Sequence, residues 1–271
     1  MLLEPWEGFA IDPAEPLPRI IPCLLLDGGR LIKTVRFKKP KYIGDPFNAV
    51  RILNEKEVDE LVFLDIGARR TGRVPDIDMI RRIASECFMP LAYGGGIRTL
   101  EQIRAVLGCG AEKVVINTAA IETPALIEQS AREFGSQSVV VSIDVKRTLF
   151  GGARVMNGRS HKLLSIDPAS HAREMVRRGA GEIFLNDVDR DGTRAGYDLD
   201  LIRTISTAVD VPTIACGGAG TVADLGAAIA AGASAAAAGS LFTLFGKHRA
   251  VLITYPERAG LRQALRNAVR G

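Results

Sequence analysis

The sequence predicts an α/β fold: a single (β/α)8 barrel of the TIM type with a two-fold half-barrel repeat. Three observations predict it. At 271 residues the chain is long for an ordinary domain and normal for one such barrel. Short apolar runs alternate with amphipathic stretches. The second half also repeats motifs of the first. A doubly wound open sheet is the competing architecture.

The predicted strands, in order, are RIIPCLLL (19–26), ELVFLDI (60–66), PLAYG (90–94), EKVVIN (112–117), SVVVSIDV (138–145), GEIFLND (181–187), PTIACG (212–217) and SAAAAG (234–239). They show no regular apolar–polar alternation, as expected of parallel strands buried on both faces. Between them the pattern predicts helices over 46–57, 75–86, 99–107, 123–134, 168–178, 198–207 and 221–230. Thr99 before LEQI and the pair Asp167-Pro168 are helix start signals. Residues 1–18 contain prolines and Glu4, Glu7, Asp12 and Glu15, without a basic stretch. They read as an N-terminal arm rather than a secretory signal, which leaves 19–271 as the barrel domain.

The repeat is specific. YGGGI (93–97) is followed by INTAA (116–120), and CGGAG (216–220) by AAGSL (237–241). Gly95 to Gly218 and Asn117 to Ser240 are both offsets of 123 residues. FLDIGARRTG (63–72) echoes FLNDVDRDGT (184–193). Pairing strand one with strand five sets PCLLL against VSIDV, so the pseudo-symmetric partner of Asp144 is Leu25.

Composition narrows the function. A net charge of +4 suits a small anionic substrate, and the aromatic signatures of RNA-binding modules are missing. Cys23, Cys87, Cys109 and Cys216 lie in or beside apolar segments without CxxC spacing, which reads as reduced thiols of a cytoplasmic protein. The three histidines are not clustered with them, so no metal site is predicted, and no redox cofactor motif occurs. No apolar run reaches the roughly 18 residues of a membrane span.

Each half places glycines after its third strand and a small or hydroxyl residue after its fourth. Gly94 to Gly96 with Asn117 and Thr118 form one set; Gly217, Gly218 and Gly220 with Gly239 and Ser240 form the other. Glycine lets backbone approach an anion, and amides at a helix start donate to it. Two such sets facing across the mouth suit a ligand with a phosphate at each end; the bland reading is that the glycines only turn the chain. Asp144 ends strand five at the rim where barrels carry catalytic groups, and a carboxylate there can act as general acid or base. Asp65 and Asp191 lie at the same rim and read equally as loop caps. The loop 30–46 holds Arg30, Lys33, Arg36, Lys38, Lys39 and Lys41 with Phe37 and Tyr42, and its length predicts a cationic lid. At the other strand ends, Arg19, Glu60, Lys113 and Glu182 could close a salt-bridge ring, although spacing alone favours ordinary capping of the floor.

These residues together resemble the cyclase subunit of imidazole glycerol phosphate synthase, the HisF family, over about residues 19 to 255. RIIPCL, DELVFLDI, GGGI, INTAA, FGSQ, RGAGEI, DRDGT and GGAG carry the resemblance. It implies a (β/α)8 barrel that takes ammonia from a HisH-like glutaminase at the barrel floor. At the rim, it implies, a bisphosphorylated precursor is cleaved and cyclised. It implies phosphate or substrate roles for Gly96, Asn117, Thr118 and Ser142 in one half and for Asp191, Gly192, Gly218, Gly239 and Ser240 in the other. It makes Lys33 the substrate-contacting lysine of the first loop. It also makes Arg19, Glu60, Lys113 and Glu182 a charged ammonia gate.

One departure cuts across this. The family uses two aspartates, on strands one and five; Asp144 matches the second, and the first falls on Leu25. A leucine cannot exchange a proton, and losing one of an acid–base pair costs roughly 10²-fold or more in rate. FKKPKYIGDPFNAV (37–50), ECFMPLAYGGGI (86–97) and LFTLFGKHRAVLITYP (241–256) are similar to HisF-like proteins of surface-polysaccharide (O-antigen) clusters, which accompany a glutaminase and a separate sugar amidotransferase. Three readings follow: an ammonia-delivering barrel for sugar amidation, a true cyclase of histidine biosynthesis, or a non-enzymatic phosphate-ligand scaffold.

Overall fold

The computed structural model describes residues 17–148 and 151–270, so the arm expected over 1–18 lies outside the described residues except for its last two. The barrel strands are β1 (Arg19–Asp27), β2 (Leu61–Asp65), β3 (Leu91–Gly94), β4 (Lys113–Ile116), β5 (Val139–Arg147), β6 (Glu182–Asp187), β7 (Thr213–Cys216) and β8 (Ala235–Ala238). Each pairs in parallel with its sequence neighbour, and β1 closes on β8 through Arg19↔Ala235 to Pro22↔Ala238. The open doubly wound sheet is thereby excluded.

Strand sequences without alternation follow from this closure. One face of each strand meets the pore, where Ile21, Val62, Ala92, Val140, Phe184 and Ile214 pack together. The other face meets the helices, and Ile20, Leu24, Leu61, Phe63, Val114, Val139 and Ile183 fill that outer layer. The all-alanine β8 faces the pore with Ala235 and Ala237, which leaves room for the fully buried Phe184. Burying whole apolar strands on both faces is the main stabilising term of such a fold.

The outer helices are α1 (Pro46–Glu55), α2 (Ile77–Glu86), α3 (Leu100–Leu107), α4 (Ala125–Phe134), α5 (Pro168–Arg177), α6 (Leu199–Ser206), α7 (Val222–Ala230) and α8 (Arg258–Arg270). Most predicted helices run one or two residues too far because they include the caps. Thr99 and Thr221 close capping boxes with Gln102 and Asp224, and Asp167 caps α5 ahead of Pro168. The sequence reading missed α8, which packs on α7. It also missed the short rim helices Ile66–Thr71, Thr118–Glu122 and Ser240–Thr243.

Two expectations are corrected. The segment 30–46 is not a loop but a β-hairpin, Arg30–Val35 with Lys38–Gly44, which extends the sheet from β1. The half-barrel repeat runs at 122 residues, not 123: α3 and α7 are capped at 99 and 221, and β4 and β8 start at 113 and 235. Asn117 therefore corresponds to Gly239, each the cap residue of a short rim helix, and not to Ser240.

Candidate functional site

The carboxyl ends of the strands frame a cavity of about 1160 Å³ including its open mouth. Sheet register decides what faces it. Leu25 pairs with Leu64 and Leu64 with Gly94; across the barrel Asp144 pairs with Asn186 and Asn186 with Cys216. Leu25 and Asp144 are thus the same position in the two halves, as the repeat predicts, and both line the cavity. The cavity is consequently two-sided. Asn117, Ser142, Asp144 and Asn186 make a polar wall; Cys23, Leu25, Leu64 and Cys216 make an apolar one.

Asp27 does not fill the vacancy left at Leu25. It lies outside the cavity lining, with its carboxylate against Gly67, where an added Cβ would stand 2.3 Å from its Oδ1. On the polar wall the Asn186 amide donates to Asp144 Oδ1 at 3.4 Å, and the Asn117 amide to Ser142 Oγ at 3.3 Å. The side-chain carbonyls of Asn117 and Asn186 are buried and accept no hydrogen bond from the described residues. They are open to a donor that enters the cavity. The sequence reading passed over Asn186, although its position in FLND, next to Asp144 in the strand order, is a signal that was there to use.

In the first half, Gly96, Asn117, Thr118 and Ser142 all line the cavity, joined by Arg98. Gly95 and Gly96 have φ of 122° and 72°. A Cβ on Gly95 would meet the Asp65 carbonyl at 2.4 Å, so packing against the Ile66–Thr71 helix demands glycine there whatever binds. The second half differs from the expectation. Asp191 and Gly239 reach the cavity; Gly192, Gly218 and Ser240 do not line it. Gly192 lies under the hairpin, where a Cβ would meet Thr34 O at 2.4 Å, and Gly218 is pressed against Gly196. Ser240 is buried with an unpartnered Oγ. The hairpin covers Gly192, while Asp191 and Gly239 of the same half stay on the cavity wall.

Lys33 accounts for that cover. It sits on the inner hairpin strand, 6% exposed, and its Nζ donates at 2.9 Å both to Asp191 Oδ1 and to Thr34 O. Thr34 Oγ1 donates to the other Asp191 oxygen at 3.2 Å. Asp191 is therefore the counter-ion of Lys33 and not a mere loop cap. The hairpin tip, Arg36 and Phe37, holds left-handed φ of 52° and 60°, unusual for two bulky residues. Arg36 is tied down by bonds of 2.9 Å from its amide to Asp191 O and from Nε to Asp189 O.

Asp65 caps the Ile66–Thr71 helix through Ala68 N at 2.8 Å, and burial pushes its carboxyl above the usual range. Asp187, its counterpart in the second half, is buried beside the cavity and pushed up to about 6 by that burial, against two backbone donors. Desolvation and contact with Cys23 raise the Cys216 thiol well above its ordinary value, Cys23 being the larger cause. The Cys216 thiol is therefore not poised as a nucleophile.

At the opposite end the four charges form the closed ring that spacing alone did not favour. Arg19 bridges Glu60 and, at 2.6 Å, Glu182; Lys113 bridges Glu60 at 3.1 Å and Glu182 at 3.0 Å. Burial works against the Arg19 charge, and the two carboxylates outweigh it and hold its pKa up. Among the described residues no group of three or more His, Cys, Asp or Glu could hold a metal ion, and no helix is long and apolar enough to cross a membrane.

Residues 19–249 match the family described as histidine biosynthesis protein. A Pseudomonas aeruginosa protein, provisionally named imidazole glycerol phosphate synthase subunit hisF2, is 52% identical over 88% of this chain and 96% of its own. A Leptospira interrogans protein with the provisional name HisF is 48% identical over 89% and 96%. The imidazole glycerol phosphate synthase subunit HisF of Thermobifida fusca is 44% identical over 83% and 90%.

Proposed function

The chain belongs to the histidine biosynthesis protein family as a HisF-like barrel subunit of imidazole glycerol phosphate synthase type, and we propose that it carries ammonia rather than closing an imidazole ring. In this reading a HisH-like glutaminase docks on the ring face, around residues 19–271 taken as one domain. Ammonia passes the ring of Arg19, Glu60, Lys113 and Glu182 and emerges at the cavity. There the glycine turns hold a phosphorylated ligand beside its path. The ammonia goes to a separate sugar amidotransferase that amidates the N-acetyl group of a nucleotide-linked sugar in O-antigen biosynthesis, in the cytoplasm.

The observation that carries the proposal is Leu25 in register with Asp144, with no carboxylate returned to its place by Asp27. General acid–base work on two faces of a closing ring needs two ionisable groups. The closed ring supports the other half of the reading, because it stands at the floor where ammonia would enter. Phe88, 87% exposed in the turn before β3 at that same end, gives a docking partner an apolar anchor.

The cyclase reading rests on Asp144, Lys33 and the first-half glycine turn, all of which line the cavity. One assay separates the two: the bisphosphate precursor and free ammonium, with product formation followed over time. The delivery reading expects no useful rate from the natural chain and a gain of roughly 10²-fold from Leu25→Asp. Ring product from the natural chain at a useful rate would refute it. Glutamine hydrolysis by the HisH-like glutaminase, measured with and without this barrel, tests the docking half. A scaffold would leave that rate unmoved.

A further inference from the structure

Charge on this molecule is segregated in a way that the ammonia path does not require. The segments 28–44, 145–166 and 241–252 hold thirteen of the 35 Lys and Arg and none of the 31 Asp and Glu, so the rest of the chain carries a net −9. Their described residues stand at the mouth, after β1, β5 and β8. They converge on one turn, 187–193. Arg36 donates to Asp189 O and Asp191 O, the Arg147 amide to Asp189 Oδ2 at 3.0 Å, and Arg249 to Gly192 O and Thr193 O at 3.4 and 3.3 Å.

The same segments hold the apolar surface. Of eight large hydrophobic residues exposed among the described residues, six are here: Val35, Tyr42, Leu163, Phe245, Val251 and Leu252. Buried glycine turns or phosphate seats do not account for them, since they face outward. Lys38, Lys39, Lys41, Arg159, Lys162 and Lys247 make no salt bridge among the described residues. Exposed aromatic and aliphatic side chains set among cations around a concave mouth are what a protein interface presents at its centre and rim. Unpaired cations of one sign call for a partner of the other.

We infer that the mouth collar is the docking surface for a second protein, one that offers acidic side chains around an apolar patch and seals the cavity. This rests on the delivery reading above. Ammonia that escapes into water at neutral pH is protonated and lost as a nucleophile, so a recipient enzyme must close the mouth. An apolar centre excludes water, and complementary charge sets the recipient's orientation. The collar is separate from the floor ring, so glutaminase and recipient bind opposite ends of one pore.

The test uses the full chain with its glutaminase and the sugar amidotransferase, binding measured by analytical ultracentrifugation over a salt series. Two variants are compared, Lys162→Glu combined with Lys247→Glu, and Phe245→Ser. The expected result is a complex whose affinity falls with salt and drops at least about tenfold in each variant. Hydrogen exchange should slow at 35–42, 159–163 and 245–252 in the complex. Stimulated glutamine hydrolysis, read at the floor, should not move. Equal binding by natural chain and variants overturns the proposal, as does a complex that leaves the collar unprotected. Absence of any complex while the barrel still stimulates the glutaminase overturns the collar alone; loss of that stimulation overturns the delivery reading itself. Vesicles with one-third anionic lipid form a further arm, and binding there in place of the protein also overturns it.

Discussion

Removing one charge from the floor ring should be among the costliest single changes in the molecule. The ring balances two cations against two carboxylates, and Glu60 is only 2% exposed. Lys113 Nζ lies 3.1 Å from Glu60 and 3.0 Å from Glu182, so Lys113→Met takes away both contacts at once. Each such contact is worth on the order of 5 kcal/mol before desolvation, at an effective dielectric of about 20. What decides the outcome is the charge left behind. Two buried carboxylates then share Arg19, whose side chain is 29% exposed and partly answered by water. Breaking a buried pair this way costs about 3–5 kcal/mol.

Glu60→Gln should cost a similar amount, because it leaves two cations facing Glu182 alone. The double variant restores neutrality as an Arg19–Glu182 pair, so its cost should fall short of the sum by about 2 kcal/mol or more. Urea unfolding followed by two optical probes at pH 7 measures all three. Singles within about 0.5 kcal/mol of the natural chain, or a strictly additive double, would show that the four groups are independent floor caps.

Other outcomes follow from single groups. Asp187 has a folded-state pKa of about 6 against roughly 3.9 unfolded, so the folded chain binds more protons between those values. Its stability contribution is present at low pH and lost as pH rises through 6. Asp187→Asn should remove that slope and raise stability at pH 7 by up to about 3 kcal/mol, read as unfolding midpoints at pH 4.5 and 7. His171 goes the other way. Burial lowers its pKa, despite Glu174, and its Nε2 is unpartnered, so its contribution holds above about pH 6.5 and is lost as pH falls. An NMR titration of that imidazole should show the depressed midpoint, and His171→Leu should flatten the acid limb. Gly95→Ala should cost about 2 kcal/mol or more through left-handed strain and the Asp65 clash. Gly28→Ala, with φ of 58° and nothing within 4 Å, should cost about 1 kcal/mol, so equal losses would discount the clash.

The barrel was legible because its strands have a physical signature that needs no partner to recognise. Strands buried on both faces cannot alternate, and eight such runs between capped amphipathic stretches leave little besides a closed parallel sheet. The hairpin over 30–44 was not legible as strand for the converse reason. Its outer strand, KKPKYIG, is exposed at five of seven positions and carries a proline, so neither apolar pattern nor composition marks it. What makes it a strand is pairing with Arg30–Val35, and that pairing turns at Arg36 and Phe37 without the glycine or asparagine that such a turn usually shows.

The site divides along the same line. Leu25 opposite Asp144 could be read from the repeat, because register carries over wherever two halves share strand lengths. The covering of Gly192 could not, since what covers it comes from a distant part of the chain. Lys33 and Asp191 are 158 residues apart, and each alone looks like a solvated rim charge. Joined, they form a nearly buried pair that holds the hairpin over Gly192. Opening would strand Lys33 or Asp191 without its partner unless an anion replaces the carboxylate. On the phosphate-binding reading proposed above, a phosphate would be such an anion, and its entry would exchange one counter-ion of Lys33 for another. On that proposal the hairpin needs no separate energy source to open, only a ligand more strongly bound by Lys33 than Asp191 is.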